Sequence, residues 1–216
     1  MNYKIKMKKT YFANKHSLLK HYLANGSTRQ ANGDYLGAAF HFTKAIEVSG
    51  VNAEAYLKRG IIRAILQDLY GAEKDYSKAI ELDQNFTDAY FNRGLFWYRM
   101  QSLKNALEDF LKVVEINPNY SGVHLLIGDI YWKNKDYAHA VMYYTKAIEV
   151  DPSNISAYYK RAHAKRVLMD YDGALEDFNR FITLTPNVGQ LGITKAIKRL
   201  FWEDIKRSKF QFSSLN

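Results

Sequence analysis

The sequence predicts an all-α solenoid of helical hairpins, and three observations lead to it. A set of residue classes recurs at one interval of 34 residues through most of the chain. Each copy holds two apolar stripes at helical spacing, with a short polar stretch between them. A capping residue precedes each second stripe, and in three copies a proline follows it.

The copy 121–154 shows why each half is a helix. His124, Ile127, Gly128 and Tyr131 fall at i, i+3, i+4 and i+7, so they share one helical face. Asn134, Lys135 and Asp136 form a polar link. The carboxylate of Asp136 is placed to accept from the free amides that open the next helix. Tyr137, Ala140, Val141, Tyr144, Ala147 and Ile148 make the second face. Pro152 ends it, because proline has no amide to continue the ladder. Two short helices and a tight link make an antiparallel hairpin. Gly128 and Ala140 are the small residues at its contact. A bulky side chain at Ala140 is expected to overpack it by about 1–3 kcal/mol.

The same positions recur in register. Gly26, Gly60, Gly94 and Gly128 are followed by Ala162. The small residue of the second helix is Ala38, Ala72, Ala106, Ala140 and Ala174. An aromatic stands four residues later, as Phe42, Tyr76, Phe110, Tyr144 and Phe178. The cap is Asp34, Asp68, Ser102, Asp136 and Asp170, and the prolines are Pro118, Pro152 and Pro186.

This pattern resembles the tetratricopeptide repeat family, whose repeat has this length and this small-residue, aromatic and proline signature. The resemblance covers 19–188 and is weakest in the first repeat, which has Asn25-Gly26 and Gly50 at positions where the family prefers a large residue and a proline. It implies an all-α, right-handed superhelical solenoid of five helix-turn-helix repeats: 19–52, 53–86, 87–120, 121–154 and 155–188. A basic segment, 1–18, precedes them. A tail, 189–216, carries an amphipathic basic helix that is expected to cap the last hairpin, because a terminal unit needs a polar outer side.

Charge sits at the ends. The net charge is +9, and 1–18 holds Lys4, Lys6, Lys8, Lys9 and Lys15 with no acid. The tail holds Lys195, Lys198, Arg199, Lys206, Arg207 and Lys209 against Glu203 and Asp204. The repeats are therefore neutral overall, which argues against the solenoid itself as a nucleic-acid binder. The basic ends keep a nucleic acid or an acidic membrane as an alternative partner. The chain contains no cysteine, which excludes disulfides and thiolate metal sites and fits a cytoplasmic setting. Residues 1–18 lack the apolar run of a signal peptide, and no apolar run reaches membrane-span length.

In the family, the first helices of successive repeats line a concave groove. By register the positions facing it are Leu57, Lys58 and Ile61 of repeat two, and Phe91, Asn92, Leu95, Tyr98 and Arg99 of repeat three. Repeat four adds Leu125, Asp129, Trp132 and Lys133, and repeat five adds Tyr159, Lys160, His163 and Arg166. Phe91, Leu95, Leu125 and Tyr159 are apolar residues beyond those the hairpin contact uses. With the charges around them they suggest a binding face for a peptide or helix of a protein partner. The carboxylate clamp that holds a chaperone's acidic C-terminus is not encoded. Asn92 occupies its middle position, but Leu57, Ile61, Gly122 and Leu126 stand where its other residues belong. Self-association stays open, with one chain's tail in another's groove as a route to a homodimer.

No chemistry is legible. The histidines show no i, i+4 pair for a metal, and no nucleophile elbow, phosphate loop or calcium loop appears. The chain is expected to be neither an enzyme nor a cofactor binder. Arg59, Arg93 and Arg161 stand where the family has leucine, so their stems are expected to pack while their heads reach a local acid.

Overall fold

A computed structural model describes residues 2–185 and 199, with side chains from residue 14 onward. Among the described residues there are ten α-helices and no strand. They are α1 (Asn2–Ala31), α2 (Tyr35–Val48), α3 (Ala53–Ile65), α4 (Leu69–Leu82), α5 (Thr87–Arg99), α6 (Leu103–Ile116), α7 (Val123–Lys133), α8 (Tyr137–Val150), α9 (Ile155–Val167) and α10 (Tyr171–Leu184). They pack as five hairpins: α1 with α2, α3 with α4, α5 with α6, α7 with α8, and α9 with α10. The helical backbone runs back through 2–18 without a break into the first hairpin. The expected capping helix in 189–216 lies outside the described residues.

The chain divides into two compact units, Met1–Pro118 and Asn119–Asn216. In the first, α2 packs on α3, and α5 touches both α3 and α4. In the second, α8 packs on α9.

The hairpins close as the residue classes predict. Phe42, Tyr76, Phe110, Tyr144 and Phe178 are all buried, each in its own second helix. Opposite Tyr144 lies Gly128, where a Cβ would fall 2.5 Å from the ring's Cε1. Only a residue without a side chain allows this approach without a shift. In the fifth hairpin Ala162 takes the equivalent position and is completely buried beside Phe178.

One turn design joins every pair. The amide of Gln67 donates to Ala64 O and that of Asp68 to Arg63 O, the paired bonds of a Schellman ending. Asp68 then caps α4 by accepting from the Gly71 amide at 2.9 Å. Asp34, Asp136 and Asp170 do the same for α2, α8 and α10. Ser102 stands at the same place and makes no side-chain cap bond. The left-handed residue of each turn is Gly33, Gln67, Gln101, Lys135 or Met169, with φ between 59° and 78°. The repeat register holds throughout, but α7 starts late within its repeat, at Val123 behind Gly122, whose φ is 79°.

The arginines behave as expected. Arg59 binds Asp75, Arg93 binds Asp109 and Arg161 binds Asp177, each through Nε and Nη2. His124 is packed, 4% exposed, with its ring stacked on Tyr143.

Candidate functional site

Within the first unit, α3 and α5 border a groove of about 280 Å³. Ile61 and Ile65 lie one turn apart on α3, and Asn92, Leu95, Phe96 and Arg99 follow at i, i+3, i+4 and i+7 on α5. Ala64, Gln67, Leu69, Tyr76 and Met100 complete the lining, so no acid lines it. Ile65 and Met100 are 41% and 45% exposed.

Its polar side chains are Tyr76, Arg99, Asn92 and Gln67. Tyr76 is 3% exposed and packs against Phe96 at a centroid distance of 6.0 Å. Its hydroxyl makes no hydrogen bond among the described residues. Burial pushes its pKa up to about 12, against the pull of Arg99's charge, so the phenol stays protonated. Arg99 is exposed and forms no ion pair among the described residues. Asn92 donates to the backbone oxygen of Asp88 at 2.7 Å, which leaves its carbonyl facing outward from that bond.

Of the residues expected here, Ile61, Asn92, Leu95 and Arg99 line the groove. Lys58, Phe91 and Tyr98 do not. Lys58 lies 3.6 Å from Glu54 across one helical turn. Leu57 requires a correction, since it is 6% exposed and clusters with Tyr76, Ala72 and Phe96 in the core.

In the second unit, Asp129 accepts from the Tyr144 hydroxyl at 2.8 Å and from Lys160 Nζ at 2.8 and 2.9 Å. Leu125 and Trp132 pack against Ala140, Tyr144 and Ala164. Trp132 also meets Tyr137 edge-on at 5.0 Å. Tyr159 is 43% exposed, and its ring meets those of His163 at 4.5 Å, Phe181 at 5.2 Å and Phe178 at 5.9 Å. Burial, with Arg166's charge added, holds the His163 pKa below its ordinary value. Arg166 is half-buried and Lys133 exposed.

One register position explains the apolar surplus. Leu57, Phe91, Leu125 and Tyr159 each meet the aromatic of their own hairpin: Tyr76, Phe110, Tyr144 and Phe178. They extend the core, so the expectation that Phe91, Leu125 and Tyr159 are surplus to it is corrected, whereas Leu95, the fourth residue of that expectation, lines the groove. Sequence reasoning misses Tyr76, Phe96, Ala64 and Met100 in the site. The signal for Tyr76 is in the register: the tyrosine two repeats later has an aspartate partner where this one has Ile61.

Profiles of the tetratricopeptide repeat match residues 23–85, 87–120 and 121–154. The chain belongs to the tetratricopeptide repeat family. No match was found among curated proteins. Among solved repeat structures, that of pilF from Pseudomonas aeruginosa superposes with a TM-score of 0.74 at 19% identity, covering 94% of this chain and 93% of that one. MamA from Desulfovibrio magneticus RS-1 gives 0.70 at 20% identity, covering 79% and 98%. YrrB, described as a TPR protein with an unusual peptide-binding site, gives 0.66 at 19% identity, covering 81% and 90%. These likenesses show a shared tetratricopeptide fold. Membership supports a protein-interaction scaffold in general terms. Among the described residues no cluster of three metal-ligating side chains occurs, and no helix is long and apolar enough to cross a membrane.

Proposed function

We propose that the chain is a cytoplasmic interaction scaffold that holds a peptide or helical segment of a partner protein against α3 and α5. The observation that carries this reading is the groove itself. Ile61, Ile65, Leu95 and Met100 are apolar side chains on a concave lining, and Asn92 and Arg99 supply polar groups beside them. Apolar surface gives a ligand affinity, and the few polar groups fix its orientation. YrrB, which shares the fold and has a peptide-binding site, supports the reading. The scaffold role also leaves the chain without a catalytic task of its own.

A random peptide library displayed on phage tests it. Enriched clones should bind the wild type and be lost on Leu95→Glu, which places a charge in the groove. Tyr70→Ala, on the exposed side of α4 at 71% exposure, should leave binding unchanged. No enrichment, or enrichment indifferent to Leu95→Glu, would overturn the proposal.

A second reading rests on the basic ends. The five lysines of 1–18 with no acid among them favour a phosphate-bearing surface, as nucleic acid or acidic membrane. Such binding should weaken steeply between low and moderate salt and ignore Leu95→Glu, whereas an apolar groove should be nearly indifferent to salt.

A further inference from the structure

The second and fourth repeats treat the same hydroxyl differently. In the fourth, Tyr144 donates to Asp129 at 2.8 Å, and Lys160 holds the same carboxylate at 2.8 Å. In the repeat register, Tyr76 corresponds to Tyr144, Ile61 to Asp129 and Asn92 to Lys160. The first unit's groove therefore keeps the phenol and lacks the acid. Tyr76 is only 3% exposed, lines the groove, and has no acceptor among the described residues. Arg99 lines the same groove with no ion pair among the described residues.

We infer that this groove takes an aspartate or glutamate side chain of the partner peptide, seated at Tyr76 and Arg99 beside a large apolar anchor. The ligand's carboxylate fills the role that Asp129 fills within the fourth repeat. The inference rests on the groove reading above and specifies its ligand. The Tyr76 hydroxyl has no acceptor among the described residues and the residue lines the groove, so a ligand carboxylate can accept its hydrogen bond there. A carboxylate fits better than a neutral amide, because a guanidinium bonded to an anion makes the stronger, charge-assisted pair. The protonated phenol is a donor at neutral pH. Ile61, Leu95 and Met100 offer the apolar anchor its contacts. This arrangement differs from a clamp for a chain terminus, since it reads one side-chain carboxylate and uses a second-helix tyrosine.

The test uses the strongest Leu95-dependent clone as a fluorescent synthetic peptide, alongside the same peptide with its acid changed to the amide. Fluorescence anisotropy is measured with wild type, Tyr76→Phe, Arg99→Gln and Ile61→Asp. Acid-to-amide exchange should weaken binding to the wild type about tenfold or more. That loss should shrink to a few-fold with Arg99→Gln and shrink in part with Tyr76→Phe. Ile61→Asp installs the internal carboxylate of the fourth repeat and should displace the acidic peptide. Should Ile61→Asp fail to fold, Tyr76→Phe and Arg99→Gln decide, since one removes an unpartnered hydroxyl and the other an exposed charge. Leu95-dependent clones without an acid, or equal binding of acid and amide peptides, would overturn this inference and leave the groove reading standing. A library with no Leu95-dependent clone would overturn both.

Discussion

Arg93 grips Asp109 through two parallel hydrogen bonds, Nε to Oδ2 at 2.9 Å and Nη2 to Oδ1 at 2.8 Å. Its remaining nitrogen, Nη1, reaches back to the Ser77 hydroxyl of the preceding repeat at 3.0 Å. Arg59 does the same with Asp75 and Thr43, and Arg161 with Asp177 and Thr145. Each arginine thus ties its own hairpin together and fastens it to the one before. The fourth repeat has Ile127 and Tyr143 at these positions, 0% and 8% exposed. The chain itself therefore contains an apolar replacement for the buried pair.

That replacement predicts a strongly non-additive outcome. Arg93→Ile or Asp109→Tyr alone should cost about 3–5 kcal/mol, because each leaves a buried charge without its partner. Arg93→Ile combined with Asp109→Tyr should cost far less than the sum and come out near neutral or stabilising. Urea unfolding midpoints of the four proteins at neutral pH measure this. Additive losses would show that the ion pair is worth more than its desolvation.

The fold was legible because each repeat states it again. Gly128, Ala140, Tyr144 and Asp136 are ambiguous alone, and their recurrence at one interval removes the ambiguity. The site was less legible, for a physical reason. A helix has more than one inward side, and periodicity does not separate the side that meets its own hairpin from the side that lines a groove. Register places Leu57, Phe91, Leu125 and Tyr159 on the second side, and they belong mostly to the first. Tyr76 shows the opposite error: its ring belongs to the core and its hydroxyl edges the groove, a division by atom that a residue pattern cannot carry. The partnership of Lys160 with Asp129 joins two repeats, so no spacing within one repeat reveals it.

The missing cap at α6 gives a stabilising change. Asp34, Asp68, Asp136 and Asp170 each accept a hydrogen bond from the third amide beyond them, and Ser102 does not. Ser102→Asp should add about 0.5–1 kcal/mol, through the restored bond and a negative charge at the helix N-terminus. A rise in melting temperature checks it. An unchanged or lower value would mean that the α6 turn holds a geometry its four siblings do not share.

Acid should weaken the second unit through His163. Its folded pKa lies below the ordinary value of 6.5, because burial beside Tyr159 and Phe178 and then the charge of Arg166 oppose protonation. The unfolded chain therefore binds the proton more readily. Stability from keeping this ring neutral is full above about pH 6.5 and is lost as pH falls through 6.5 toward the folded value. His163→Gln should flatten the decline in melting temperature between about pH 7.5 and 5. A decline of the same steepness in the variant would place the acid sensitivity elsewhere.

Two tyrosines at one register position should respond oppositely to losing a hydroxyl. Tyr144→Phe removes a donor to Asp129 and leaves that half-buried carboxylate with Lys160 as its remaining side-chain partner among the described residues. The loss should be about 1–3 kcal/mol, for one hydrogen bond to a half-buried charged acceptor that Lys160 still holds. Tyr76→Phe keeps the buried ring and removes a hydroxyl with no acceptor among the described residues, so stability should stay within about 0.5 kcal/mol or rise. Urea unfolding of the two single variants makes the comparison at constant chemistry. A matching loss at Tyr76 would mean that its hydroxyl is already satisfied in the free protein. The donor that the groove offers to an acidic ligand would then not exist, whatever peptides the groove selects.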